Sequence, residues 1–85
     1  MKEFTYTITD PEGIHARPAG ELVKIVKGFS SEIKISKDGK AVDCKKIFGV
    51  MGLGVKQGQE VVFTFAGEDE ENACQTVSDF VKANL

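Results

Sequence analysis

The chain predicts an α+β fold: an open-faced two-layer sandwich, a four-stranded antiparallel sheet covered on one face by three helices in the order βαββαβα. Four segments alternate apolar and polar residues with the two-residue period of half-buried strands. Three others repeat apolar residues at helical spacing. An Asp-Gly pair between the second and third alternating segments joins those two as a tight hairpin.

Each element has its own signal. Phe4, Tyr6 and Ile8 alternate with Glu3, Thr5 and Thr7, which predicts a first strand over about residues 2–8. Ala19, Leu22, Val23 and Val26 form one stripe between Ala16 and Lys27, so a helix is expected there, with Gly28 placed as its stop. Ile33 and Ile35 alternate with lysines, Asp38-Gly39 makes the turn, and Ala41 to Cys44 is the returning strand. Ile47 to Leu53 fits a brief helix weakened by Gly49 and Gly52. Val61, Phe63 and Phe65 share one face of a fourth strand over 60–66, after a turn at Lys56-Gln57-Gly58-Gln59. The last helix, 70–84, carries Ala73, Cys74, Val77, Phe80, Val81 and Leu85 on one stripe. Asp69, Glu70 and Glu71 at its start read as capping and solvation against the positive end of the helix dipole, not as a metal site.

With 85 residues, no internal repeat and no linker, residues 1–85 are expected to form a single domain around one thin core. Apolar residues make up 41% and charged residues 28%, so the chain has an ordinary globular balance. A net charge of −2 gives no basic field for nucleic acid or an anionic membrane surface. The longest mostly apolar run, Ile47 to Val55, is far shorter than the ~20 residues of a membrane helix, so no membrane insertion is expected. MKEFTYTITD alternates instead of showing a charged-then-apolar leader. Cys44 and Cys74 lie far apart in apolar-patterned segments, which suits reduced, buried thiols. Together these features point to the cytoplasm.

The only histidine lies in GIHARPAG, Gly13 to Gly20. A metal site would need companion ligands, and only Asp10, Glu12 and Glu21 are near in sequence, so neither a metal nor a cofactor is expected. No GxSxG or Cys/His signature supports a hydrolytic triad. Pro18 is tolerated only in the first helical turn, where its missing N–H is not needed, so the helix begins close to His15 or Arg17. His15 therefore lies beside a helix N-terminus, with Ala16 and Pro18 at the helix start, open amides and the positive dipole end as an anion cradle, and Arg17 as a forked cation. That setting disfavours an imidazolium and favours a ring that carries negative charge, and a phosphoryl group would supply it.

IFGVMGLG has neither the Walker nor the Rossmann order of glycines, which rules out nucleotide binding. Ile47, Phe48, Val50, Met51 and Leu53 are too many large apolar side chains for so short a helix to bury. Some should be exposed as a docking surface, and methionine suits one that serves several partners.

GIHARPAG, the helix after it and KKIFGVMGLG resemble the HPr family, the histidine-containing phosphocarriers of the bacterial sugar phosphotransferase system, over essentially the whole chain. The resemblance implies a carrier and not a stand-alone enzyme. His15 would accept a phosphoryl group on Nδ1 from phosphorylated enzyme I and pass it to IIA domains of sugar permeases, with Arg17 steadying the phosphate. It further implies docking through Gly20, Ile47, Phe48 and Met51 with a lysine rim of Lys24, Lys27, Lys45 and Lys46, and a monomer is expected. Many family members carry a regulatory serine where this chain has Lys46, and Gly52 replaces a second common serine, so serine-kinase control is not expected. Two other roles share the motif: a regulatory binding module, and the carrier of a nitrogen-linked phosphotransferase branch.

Overall fold

The computed structural model describes residues 1–85. Strand β1 (Lys2–Thr7) leads to helix α1 (Ala16–Val26), the hairpin of β2 (Glu32–Lys37) and β3 (Lys40–Asp43), helix α2 (Ile47–Gly52), strand β4 (Glu60–Ala66) and helix α3 (Glu70–Asn84). The strands form one antiparallel sheet in the order β1-β4-β2-β3, with the three helices on one side, as expected from the alternation. No helix is long and apolar enough to cross a membrane.

β4 and β2 lie inside the sheet, and the inward residues of β4 are all strongly apolar. Val61, Phe63 and Phe65 are fully buried, and Phe63 stands between Phe4 of β1 and Ile35 of β2 in register. Leu22 and Val26 of α1 and Val77 and Val81 of α3 close over them, in one continuous apolar core. α3 packs on β1, β4 and α1, while α2 rests on α1 and β3. Burial of apolar area at about 25 cal/mol per Å² is the main force holding these layers together.

The hairpin follows its turn chemistry: Asp38 and Gly39 take φ of 53° and 82°, the left-handed pair of a two-residue turn. Lys37 therefore pairs with Lys40, and β3 runs one residue earlier than the alternation suggests. α1 does not end on a left-handed Gly28. Its last turn tightens instead, with Gly28 N–H donating to Ile25 O and Phe29 N–H to Val26 O, both at 3.1 Å.

Two further expectations are corrected. Asp69 does not cap α3 with its side chain, because its carboxylate reaches across to the segment before β2. There it accepts the N–H groups of Ser30 and Ser31 at 2.8 and 2.9 Å and the Ser31 hydroxyl. Of the two thiols, Cys44 is fully buried and pushed up to about 12, mainly by burial and then by the Asp43 charge. Cys74 is only half-buried, since Ala73 and Val77 occupy the deepest positions of its helix.

Candidate functional site

The site grows from the loop between β1 and α1. Asp10 Oδ1 accepts the Glu12 N–H at 2.8 Å and the Asp10 carbonyl accepts the Gly13 N–H at 2.9 Å, winding the loop on itself. Gly13 then turns the chain at φ 67°, a conformation that costs glycine little. The turn delivers Ile14, whose N–H donates to Val55 O at 3.1 Å and whose side chain enters the core. Two distant segments fasten the loop, the C-terminus and the stretch between α2 and β4. The Leu85 backbone oxygen accepts from the N–H groups of Thr9 and Asp10 at 2.6 and 2.8 Å, Gln57 Nε2 donates to Thr9 O at 3.1 Å, and Val55 holds Ile14.

His15 is the N-cap residue of α1, with extended backbone and a side chain that makes no capping bond. Its carbonyl accepts the Ala19 N–H at 3.0 Å, which starts the helical ladder. Ala16 and Arg17 occupy the first two helical positions and Pro18 the third. Pro18 fits there because its ring would clash with the carbonyl four residues back, and that residue, Ile14, lies outside the helix. Of the first three helical residues only Ala16 and Arg17 have an N–H, and neither amide has an acceptor within the helix. Both lie at the positive end of the helix dipole, in the two residues directly after His15. The His15 side chain is 34% exposed, and Arg17 is exposed and forms no ion pair.

Negative charge also stands beside the ring, from carboxylates whose nearness in sequence did not show that they face it. Asp10 Oδ2 and Glu12 Oε2 each stand 3.6 Å from His15 Nε2. The histidine thus has carboxylates as well as Arg17 around its depression, not positive features alone. One donor atom from each of Asp10, Glu12 and His15 lies within 4.8 Å of the others, two carboxylate oxygens and one imidazole nitrogen. Asn84, Glu21, Arg17 and Pro18 complete an open depression of about 200 Å³ over the ring. Glu12 is three residues before His15 and was visible in sequence, whereas Asn84 reaches the site only through tertiary structure.

The five large apolar residues of the α2 region divide between core and surface. Val50 and Leu53 are buried, Ile47 is half-buried, and Phe48 and Met51 are 87% and 39% exposed. Ile47 lies over Gly20 of α1: a Cβ added there would sit 3.7 Å from Ile47 Cδ1, an ordinary van der Waals contact. Lys24, Lys27 and Lys46 are exposed, with Lys46 at the N-cap of α2 making no side-chain capping bond. Lys45 does not belong to the free rim, because its Nζ donates to Phe29 O at 2.8 Å beyond the end of α1.

A depression this small and open lies below the ~300–1,000 Å³ of a cleft that engulfs a small molecule. The site is that of a protein class in which a group held on the ring stays open at the surface. A family model described as the PTS HPr component phosphorylation site matches residues 2–83. The phosphocarrier protein HPr of Lysinibacillus sphaericus is 44% identical over 78 residues, 92% of this chain and 89% of that protein. The crystal structure of HPr-C-His from Thermoanaerobacter tengcongensis superposes with a TM-score of 0.93 at 43% identity, covering 98% of this chain and 93% of that one. A crystal structure of an HPr dimer from the same organism gives 0.78 at 43% identity, covering 98% and 95%. The chain belongs to the HPr family, the phosphocarriers of the phosphotransferase system.

Proposed function

We propose that residues 1–85 act as one HPr-like domain in the cytoplasm, accepting a phosphoryl group on His15 Nδ1 from phosphorylated enzyme I and passing it to IIA domains of sugar permeases. His15 carries this reading: its ring is free of any capping bond at the head of α1, beside the Ala16 and Arg17 amides and an unpaired guanidinium. A phosphoryl group on that ring would meet two backbone donors and a forked cation. Phe48, Met51 and half-buried Ile47 form the apolar contact, rimmed by Lys24, Lys27 and Lys46 for acidic partner faces. Acceptor and docking surface belong to one chain, so the working form is a monomer.

In a labelling experiment with enzyme I and labelled phosphoenolpyruvate, the wild type takes up an acid-labile, base-stable phosphate and His15→Ala takes up none. An unlabelled wild type would refute the carrier reading. Lys46 offers no hydroxyl at the head of α2, so the family's serine kinase, supplied with labelled ATP in a separate assay, should leave residues 44–51 unlabelled. Label recovered from that segment would refute the absence of serine control.

A further inference from the structure

Asp10 and Glu12 are neither the acceptor, nor the anion-binding helix end, nor the docking patch. Their placement is nevertheless specific. The loop spends Asp10 Oδ1 on the Glu12 N–H and so turns Oδ2 toward the ring, where Oδ2 and Glu12 Oε2 both approach one nitrogen, Nε2, at 3.6 Å. A carboxylate favours a proton on the nitrogen it faces, because an N–H attracts it while a bare lone pair repels it. Such contacts commonly tighten when the reacting complex forms. The other charged groups at the depression are Arg17 and Glu21 of α1.

We propose that Asp10 and Glu12 are positioning residues for phosphoryl transfer. They hold the His15 proton on Nε2, leave the lone pair on Nδ1, and stabilise the ring's positive charge once Nδ1 is phosphorylated. This rests on the carrier reading above. In the forward step the Nδ1 lone pair attacks the donor's phosphorus, the Nδ1–P bond forms, and the bond from phosphorus to the donor's leaving atom breaks with its electron pair staying on that atom. The Nε2 proton does not move, so the ring becomes an N-phosphorylated imidazolium whose N–H faces the two carboxylates. Onward transfer breaks Nδ1–P, returns the electron pair to Nδ1 and restores the neutral ring. The same carboxylates would repel a phosphoryl group on Nε2, which adds a second bias toward Nδ1.

The test uses Asp10→Asn with Glu12→Gln. Asparagine keeps an oxygen for the Glu12 N–H and glutamine keeps the side-chain shape, so charge is removed while the loop stays wound. Imidazole nitrogen NMR of the unphosphorylated protein, at a pH where His15 is neutral, is expected to show the Nε2–H tautomer in the wild type and a mixture in the double variant. The turnover rate of labelling by enzyme I should fall about tenfold with KM within about twofold, and Glu12→Asp in the wild-type background should retain most of the rate. A labelled wild type whose double variant keeps both the tautomer and the rate overturns this inference alone. A wild type that takes no label refutes the carrier reading, and the tautomer spectra then still decide whether the carboxylates hold the Nε2 proton.

Discussion

Gly13 shows how much of the site hangs on one residue. Its φ of 67° is left-handed, and a Cβ there would run into the Val55 carbonyl oxygen and come within 2.7 Å of Lys56 Cα. Those are backbone atoms that cannot swing aside, and Val55 O is the acceptor that fixes Ile14 one residue before the histidine. Gly13→Ala is therefore expected to cost about 2–3 kcal/mol, read as a lowered urea midpoint at unchanged slope. A loss under about 0.5 kcal/mol would mean that the loop accommodates the methyl group freely. His15, Arg17 and Pro18 were legible at this scale because a lone imidazole, a cation and a proline near a helix start have local meanings. The partnership of Asp10 and Glu12 with Nε2 was not, since it depends on how the loop winds.

Among the elements, α2 divides its tasks by face. Val50 is fully buried under the sheet layer while Phe48, two residues earlier, is 87% exposed. Phe48→Ala should thus leave stability within about 0.5 kcal/mol of wild type yet weaken binding to enzyme I by about tenfold or more. Val50→Ala should do the reverse, costing about 2 kcal/mol of stability through the cavity it leaves, with little change in affinity of the folded protein. Denaturation paired with titration calorimetry separates the two, and a strongly destabilised Phe48→Ala would contradict the division of faces. The sequence predicted that five large apolar residues could not all be buried. Which ones face outward was settled by how α2 packs on α1 and β3, where Ile47 is half-buried and Val50 fully buried.

Across the whole molecule, Asp69 joins the start of α3 to the approach to β2. The Ser31 hydroxyl first, then the Ser30 and Ser31 amides, hold its carboxyl down at about 2 from an ordinary 3.8. A carboxyl lowered by folding stabilises the native state while it is ionised. Its contribution is whole above about pH 4 and is lost as pH falls through 2. Asp69→Asn should accordingly be less stable than wild type at neutral pH, with the gap narrowing between pH 4 and 2 in acid denaturation curves. A gap independent of pH across that window would remove the ionised carboxylate from the explanation.

The amino-acid order by itself determined the seven elements, the antiparallel class of the sheet, the Asp38-Gly39 hairpin and the position of His15 at a helix start. Each of these follows from periodicity or from the backbone demands of glycine and proline, which act over a few residues. Only the tertiary structure decided that Asp69 reaches Ser30 and Ser31, that Lys45 serves Phe29, that Cys74 stays half-buried, and that Leu85, Val55 and Gln57 converge on the loop of Asp10 and Glu12. Polar side chains choose their partners by distance after the apolar layers have packed, and sequence spacing does not encode those distances. The histidine could therefore be found from the chain alone, while the two carboxylates that set its chemistry emerged only from the fold.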